Sequence, residues 1–349
     1  MAGFIGLDFG TGGAKACLMA ADGTVLSYAF EELAIIHEHS GWSEHDAHQY
    51  WPVACRLVHR CLHDAAVSAA DVEGIAVSSA LPSMVMVDRS GAPLQRAYNL
   101  MDKRAVAIVE WLKEHIGDER IFHLSGYRLE DHPLLVNVLW ERKNRPQTFA
   151  QIDKVLTIDG YITFKLTGRA VCHYFAAAFY GVAYDLRNGV FNEQMLDELH
   201  LSPQILPELV QCDDIIGAIS ADAAADIGLE AGTLVCGGQV DCNASWLGAG
   251  ATEIGDFQSN LGTVGNFGII HQNSDFNFSA VGRLMINFPY TINSADTFVT
   301  VPTTLTGGQC LRWIRDQLAP HLRQKGQKSA YDQLTDLAAA VPAGCDGLI

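Results

Sequence analysis

The first thirty residues constrain the fold most, because they combine strand signals with two tight turns. Two apolar runs, Phe4–Leu7 and Ala14–Met19, flank the glycine-rich turn Asp8–Gly13, and the second run ends at Asp22-Gly23. Asp-Gly is a strong signal for a two-residue hairpin, and another strand pattern follows it. Residues 1–30 therefore predict a three-stranded antiparallel meander whose first turn exposes backbone N–H groups.

A second turn of the same kind, Gly262-Thr263-Val264-Gly265, lies between the strand signals Gln258–Leu261 and Asn266–Ile270. Glycine allows positive φ and lets the backbone approach a ligand closely. Clustered backbone N–H groups bind anions, phosphates above all. Either turn alone could be an ordinary hairpin, but the pair predicts a cleft that grips a polyphosphate from two sides.

Two commoner phosphate motifs are excluded. A dinucleotide fingerprint that starts at Gly10 needs glycine at its sixth position and a helix after it, but Lys15 and a strand pattern stand there. A Walker A loop needs Gly-Lys-Ser or Gly-Lys-Thr, and the sequence contains neither tripeptide.

The bulk properties limit the partners and the location. A net charge of −17 argues against nucleic acid and anionic membranes, so a bound polyphosphate would need Mg²⁺ and backbone N–H donors. No apolar run has the length of a membrane span, and no signal peptide is visible. The nine cysteines include no CxxC pair, which is typical of reduced thiols in the cytosol. We expect a cytoplasmic protein.

Strand and helix signals alternate along the chain, which predicts an α/β fold. A strand signal at Leu234–Cys236 runs through two glycines to Asp241, and a helix-like stretch follows, so this aspartate is well placed to face a cleft. The turn-strand pattern restarts near residues 250–256. We therefore predict two domains, residues 1–245 and 246–349. Because the last strand signal stops at Leu348-Ile349, we expect the second domain to be incomplete and the chain to be truncated.

These residues resemble the FGGY family of carbohydrate kinases, and the resemblance runs over the whole chain. The motifs that carry it are Asp8, Gly10, Thr11 and Lys15; Gly41–Asp46 with Trp51; Asp102 and Arg104; Leu166–Gly168; Asp241 and Gly248; Leu261–Thr263; and Gly307-Gly308 before Trp313. The resemblance implies the actin-like ATPase (ribonuclease H-like) fold, with two domains around a cleft. It also implies ATP and Mg²⁺ as cofactors.

The resemblance also implies a role for each site residue. Asp241 would be the general base, and Asp8 would orient Mg²⁺ beside the phosphates. The sugar would be held by Asp241 together with four further residues, Glu44, Asp46, Asp102 and Arg104. The nucleotide would be bound by both hairpin turns and a later glycine pair: Gly10, Thr11, Gly12, Lys15, Gly262, Thr263, Gly307 and Gly308.

Departures from the family pattern leave the substrate open. Xylulose kinases carry Gln-Met-His-Gly and glycerol kinases an Arg-Glu pair where this chain has Ala80–Ser83. The residue after Asp241 is Cys242 instead of asparagine or glutamine, and Cys172-His173 replaces a common aspartate. An unusual sugar pocket is expected, with a ketopentose such as xylulose or ribulose as the preferred substrate.

Three interpretations follow. The first is an ATP-dependent sugar or polyol kinase, although the 349-residue chain alone is expected to bind sugar weakly, to lack turnover and to self-associate. The second is a non-catalytic sugar-binding or regulatory relative, which the altered pocket favours. The third is an actin- or chaperone-type ATPase, against which the acidic segment Glu44–Asp46 and the Asp102/Arg104 pair argue. The expected partner is a small-molecule sugar or polyol, and a homodimer is compatible with the resemblance.

Overall fold

The computed structural model of the protein describes residues 3–261, 265–291, 293–304, 308–323, 328–342 and 344–347. The chain divides into two compact units, Met1–Asp256 with Ile269–Thr300 and Phe257–Gly268 with Val301–Ile349. Three residues predicted to bind the nucleotide, Gly262, Thr263 and Gly307, lie outside the described residues. The predicted domain boundary at residue 245 stays a prediction.

The strands are, in chain order, β1 (Gly3–Gly10), β2 (Gly13–Ala20), β3 (Val25–Glu32), β4 (Glu44–His45), β5 (Val72–Ser79), β6 (Val85–Val87), β7 (Ala97–Tyr98), β8 (Lys154–Leu156), β9 (Val171–His173), β10 (Tyr184–Asp185), β11 (Val190–Phe191), β12 (Glu208–Val210), β13 (Ile215–Ala218), β14 (Leu234–Cys236), β15 (Gln239–Val240), β16 (Phe257–Leu261), β17 (Gly265–His271), β18 (Ile286–Pro289), β19 (Phe298–Val301) and β20 (Thr303–Thr304).

The α-helices are α1 (Tyr50–Ala65), α2 (Val106–His115), α3 (Asp118–Ser125), α4 (Leu134–Asn144), α5 (Pro146–Phe149), α6 (Ile158–Thr167), α7 (Tyr174–Ala177), α8 (Glu193–Glu198), α9 (Ala221–Ile227), α10 (Asp241–Gly248), α11 (Gly308–Trp313) and α12 (Ala330–Ala339). Strands and helices alternate through the first unit, as the sequence predicts. No helix among the described residues is both long and apolar enough to cross a membrane.

The central sheet of the first unit has the strand order β13-β14-β5-β1-β2-β3, and β15 also pairs with β5. β1, β2 and β3 form antiparallel neighbours, which confirms the predicted meander. β1, β14 and β15 each run parallel to β5. The carboxyl ends of these parallel strands therefore lie at one edge of the sheet.

Side-chain alternation decides which face of the sheet is covered. In β1, Ile5, Leu7 and Phe9 are buried in the main core, and the residues between them are more exposed and point to the other face. The apolar positions of α1 lie mainly on one side of the helix, and its buried residues join the same core. The core thus fills one face of β1, and the opposite face is left for Asp8.

Side-chain caps set the starts of two helical segments. Asp46 accepts a hydrogen bond from the His48 N–H and caps the 3-10 turn Ala47–Gln49 that leads into α1. The spacing of the apolar residues Trp51, Leu57, Val58 and Leu62 predicts a helix after Asp46, and the structure confirms it. Thr157 caps α6 in the same way, by accepting the Gly160 N–H.

The described residues of the second unit include β16, the start of β17, β20, α11 and α12. Gly265 and Asn266 of β17 pair with β20, and the rings of Phe257 and Phe267 stack with centroids 6.2 Å apart. α11 begins at Gly308 and continues as a π-helical turn. α12 begins with a capping box between Ser329 and its N3 residue.

Candidate active site

The register of three parallel strands brings the predicted base and the predicted metal-binding aspartate to one sheet edge. Asp8 of β1 lies opposite Ser78 of β5, and Ser78 lies opposite Gln239 of β15. Asp241 follows Gln239 by two residues and is the first residue of α10. Ligands of α/β sheets bind at the carboxyl ends of parallel strands, so this edge is the candidate site.

Asp8 is held by two neighbours on adjacent strands. Ser78 Oγ donates to Asp8 Oδ1 over 2.8 Å, and Lys15 Nζ lies 3.1 Å from Asp8 Oδ2. Lys15 is opposite Asp8 in the β1–β2 register, so the hairpin itself brings the two charges together. Burial lowers the pKa of Lys15, but the hydrogen bond and the charge of Asp8 outweigh it and raise that pKa.

Asp241 is a half-buried carboxylate at the same edge. Among the described residues it accepts one hydrogen bond, from the Cys242 N–H at 2.6 Å. Burial and the negative charge of Asp8 raise the pKa of Asp241 from 3.8 to about 6, although Lys15 acts in the opposite direction. A carboxylate with such a pKa is mostly ionised at neutral pH and still accepts a proton readily, as a general base must.

Two amide side chains bracket Asp241 and meet at one hydroxyl. The amide nitrogens of Gln239 and Asn243 both donate to Thr291 Oγ1. Gln239 Oε1 also accepts the Val240 N–H over 2.9 Å. Thr291 therefore holds the residues two places before and two places after Asp241. Sequence reasoning missed Thr291, because nothing local links it to residues some fifty positions earlier.

A second carboxylate, that of Asp159, lies near the glycine pair that precedes Asp241 in the chain. Ser79 Oγ donates to Asp159 Oδ1 over 2.5 Å, and His173 Nε2 lies 3.3 Å from Asp159 Oδ2. A Cβ on Gly238 would lie 2.6 Å from the Val77 carbonyl oxygen and 4.0 Å from Asp159 Oδ2, and its φ is +86°. Only glycine fits this close passage of the chain before Asp241.

A cavity of about 420 Å³ opens on the face of the sheet that carries Asp8. Its lining is mostly apolar, with a few polar groups in it, and includes Asp8, Cys17, Ser78, Gln239, Leu247 and Thr291. Such a mixture of apolar walls and a few polar groups is usual for small-molecule sites.

The first predicted phosphate turn is a two-residue connection. Gly10 pairs with Gly13, which leaves Thr11 and Gly12 as the turn. None of these three glycines has the left-handed φ that glycine allows. Gly13 is needed for space instead, because a Cβ there would lie 2.8 Å from the Glu31 carbonyl oxygen.

Three of the predicted sugar-binding residues form a buried ion cluster. Arg104 Nη2 lies 2.7 Å from Glu44 Oε1 and 2.7 Å from Asp102 Oδ2. The side chains of all three are at most 4% exposed. The guanidinium carbon lies 3.6 Å from the ring centroid of Tyr98 and 3.9 Å from that of Trp42. Since these charged groups pair with one another, the geometry favours a structural role over direct contact with a sugar.

The fourth predicted sugar residue, Asp46, caps the turn before α1 and is not among the ion-pair partners of this cluster. Sugar binding by any of the four stays a prediction. Of the nucleotide set, the structure brings Gly10, Thr11, Gly12 and Lys15 to the first turn and its flanking strands. Gly308 begins α11 in the second unit.

Magnesium requires little from the protein beyond one or two carboxylates, because nucleotide phosphates and water supply most of its ligands. The side chain of Asp8 is 27% exposed at the open sheet edge, and Asp241 lies close enough to feel its charge. This arrangement fits such an ion. Within the described ranges there is no group of three or more His, Cys, Asp or Glu residues that could hold a metal without such help.

The sequence is similar to a family of carbohydrate kinases and to individual kinases of that kind. Residues 4–248 match the family model described as "FGGY family of carbohydrate kinases, N-terminal domain". The xylulose kinase of Bacillus subtilis (strain 168) is 25% identical over 345 residues, which are 99% of this chain and 66% of that protein. The glycerol kinase of Brucella ovis is 26% identical over 331 residues, or 91% of this chain and 64% of that protein. The chain thus spans slightly less than two thirds of these relatives.

Solved structures of carbohydrate kinases are also similar to this protein. The crystal structure of xylulose kinase from Rhodospirillum rubrum has a TM-score of 0.88 and 28% identity, with 99% of this chain and 68% of that chain covered. Plasmodium falciparum glycerol kinase with ADP has a TM-score of 0.84 at 16% identity, over 97% of this chain and 66% of that chain, and shares the fold.

Proposed function

Because the chain belongs to the FGGY family of carbohydrate kinases, we propose that it takes part in the ATP-dependent phosphorylation of a sugar or polyol hydroxyl. The predicted actin-like ATPase fold is confirmed by the structural neighbours. The observation that carries the proposal is the half-buried Asp241, whose pKa of about 6 suits a general base.

In the proposed reaction, Asp241 accepts the proton of the attacking sugar hydroxyl while the new bond to the γ-phosphorus of ATP forms. The bond between that phosphorus and the leaving oxygen of ADP breaks in the same step. Positioning and charge neutralisation supply most of the catalysis in phosphoryl transfer. Asp8 would hold Mg²⁺, directly or through water, and the ion would neutralise charge on the phosphates.

The first turn would contribute backbone donors to this reaction. N–H groups of the turn Thr11–Gly12 would bind phosphate oxygens, and Lys15 would add a positive charge beside them. Gly262, Thr263, Gly307 and Gly308 are proposed to complete the nucleotide site. On the sugar side, we propose that the ion cluster of Glu44, Asp102 and Arg104 holds the wall of the pocket in place.

The proposed substrate is a ketopentose, xylulose or ribulose. The support is that several relatives and structural neighbours are named xylulose kinases, at 22–28% identity. The unusual Ala80–Ser83 segment keeps other sugars and polyols within the test. We also propose the cytoplasm as the location, since ATP and free sugars are available there.

The test, made on a version that spans the full length of its relatives, combines an ADP-release assay with MgATP and a sugar-binding measurement over a panel of ketopentoses, gluconate, glycerol and other polyols. Asp241→Asn should lower kcat by at least about 10²-fold and leave sugar affinity near that of the parent. The matched control is Asp22→Asn, which changes an exposed aspartate in the β2–β3 turn. Unchanged turnover in Asp241→Asn would remove this residue from the mechanism.

A second candidate function is decided by the same experiment. If the parent protein binds a sugar and releases no ADP with any member of the panel, it is a non-catalytic sugar-binding relative. The altered residues after Ser79 and after Asp241 are the observations that favour this outcome.

A further inference from the structure

We infer that His45 is a positioning residue for the phosphate-binding turn: it holds the Thr11 carbonyl and so directs the Gly12 N–H toward the nucleotide phosphates. This inference rests on the proposed function. His45 lies on β4, outside the turn that it contacts.

The contacts of His45 join two distant parts of the chain. Its Nε2 lies 3.0 Å from the Thr11 carbonyl oxygen, and its Nδ1 lies 2.9 Å from the Tyr50 hydroxyl. The side chain is buried, with the residue 2% exposed. Both ring nitrogens are therefore used, and the ring has little freedom to turn.

The chemistry of the partners fixes the tautomer. A carbonyl oxygen can only accept, so Nε2 must carry the proton. Nδ1 is then the acceptor, and the Tyr50 hydroxyl donates to it. Burial raises the pKa of Tyr50, which keeps that hydroxyl protonated. Burial also lowers the pKa of His45, although its bond to Thr11 acts the other way, so the neutral ring is favoured.

Because of the geometry of the peptide unit, this contact also determines the direction of the Gly12 N–H. The Thr11–Gly12 peptide is trans and planar, so its C=O and N–H point in opposite directions. A carbonyl drawn toward His45 therefore forces the Gly12 N–H to point away from His45. In a two-residue turn between β1 and β2, this orientation is otherwise weakly determined, because the peptide can flip without disturbing the strands.

The ring itself is anchored to the strand that carries Asp8. Tyr50 packs edge-on against Phe9 with ring centroids 5.7 Å apart, and Phe9 is fully buried. His45 also lies on β4, which pairs with β7 through the contact of His45 with Ala97. Through His45, the turn is thus held in place relative to two parts of the fold. One is the core that packs against β1, and the other is the strand pair β4–β7, which carries Glu44.

The experiment compares His45→Asn with His45→Gln. A glutamine amide nitrogen reaches about as far as Nε2 and can still donate to Thr11, whereas asparagine is too short. The same two changes at the exposed His48 are the matched controls. The readouts are the Gly12 amide resonance in ¹⁵N-glycine-labelled protein, assigned through Gly12→Ala, and the dissociation constants of MgATP and of the best-bound sugar.

In His45→Asn, the Gly12 resonance should move and the dissociation constant of MgATP should rise by at least about 10-fold, the effect of one well-aimed donor to a charged group. Sugar affinity should change by less than about 2-fold, and His45→Gln should restore MgATP binding to within about 3-fold. If Gly12 and MgATP binding are unchanged in His45→Asn, or if both variants lose sugar and MgATP binding equally, the inference is wrong.

Two further outcomes remain decisive. If His45→Asn does not fold, Tyr50→Phe replaces it, since loss of the hydroxyl that holds Nδ1 releases the ring that contacts Thr11; an unmoved Gly12 resonance then overturns the inference. If the parent protein binds no MgATP, the proposed kinase function falls, while the Gly12 resonance still decides whether His45 sets the turn.

Discussion

Replacing Asp241 with asparagine should make the protein more stable as well as inactive. The pKa of Asp241 rises from 3.8 to about 6 because the carboxylate is buried and faces Asp8. The folded chain thus holds this proton more tightly than the unfolded chain, and ionisation of Asp241 destabilises the fold. Asparagine has the same shape, keeps an oxygen for the Cys242 N–H, and carries no charge.

The size of the effect follows from the pKa. A rise of about two pH units, at about 1.4 kcal/mol each, corresponds to about 3 kcal/mol between the two protonation states. This penalty is absent below pH 3.8, grows between pH 3.8 and about 6, and is complete above that value. The free energy of unfolding of Asp241→Asn should therefore exceed that of the parent by up to about 3 kcal/mol near neutral pH, and by almost nothing near pH 4.

Urea unfolding at about pH 4 and about pH 7.5 measures this difference. Asp256 provides a control of opposite sign, because hydrogen bonds from the N–H groups of Glu253 and Thr252 lower its pKa. Asp256→Asn should be less stable than the parent near neutral pH, and its deficit should shrink as the pH falls. If Asp241→Asn is less stable than the parent at pH 7.5, or if its gain is the same at both pH values, the electrostatic argument is refuted.

Three further predictions concern the surroundings of this residue. Asp8→Asn removes a charge that raises the pKa of Asp241, so the acid limb of the kcat/KM profile should move to lower pH in a pH titration of the reaction. Thr291→Val removes the hydroxyl oxygen that accepts hydrogen bonds from two buried amides, so urea unfolding should show a loss of about 1–3 kcal/mol, and kcat should fall by a larger factor than sugar KM rises. Gly13→Ala should cost about 1–3 kcal/mol, since its Cβ would collide with neighbouring atoms, whereas Gly12→Ala, with open space around its Cβ, should stay within about 0.5 kcal/mol of the parent in the same measurement.

The parts of the fold that could be predicted depend on neighbouring residues. The Asp22-Gly23 turn and the alternation around it give the meander, and the Asp46 cap gives the start of the helical segment. A short turn also fixes the register of the two strands that it connects. The hairpin alone therefore brings Asp8 and Lys15 together. Placing Asp241 at a strand–helix junction needs no more than the glycine-rich sequence before it.

The remainder depends on contacts between distant residues. The cluster of Glu44 and Arg104 spans 60 positions, and the sequence shows two charged motifs without showing that they neutralise each other below the surface. Likewise, the contact of His45 with Thr11 spans 34 positions and appears only when β4 is placed beside the first turn. The individual residue types at these positions are compatible with many partners, so the pairing is a property of the fold.

The distribution of partners among the site carboxylates indicates which of them should accept a proton. Asp8 is paired with Lys15 and accepts a serine hydroxyl, and Asp159 has a serine and a histidine beside it. Asp241 has the backbone N–H of Cys242 and faces the charge of Asp8. A carboxylate whose oxygens are held in place by neighbouring donors is well suited to orient a cation. An under-paired one is a better base, since its raised pKa makes proton uptake favourable. The ionised carboxylate of Asp241 therefore destabilises the fold. In the reaction that we propose, this loss of stability is recovered when Asp241 takes up the proton of the sugar hydroxyl.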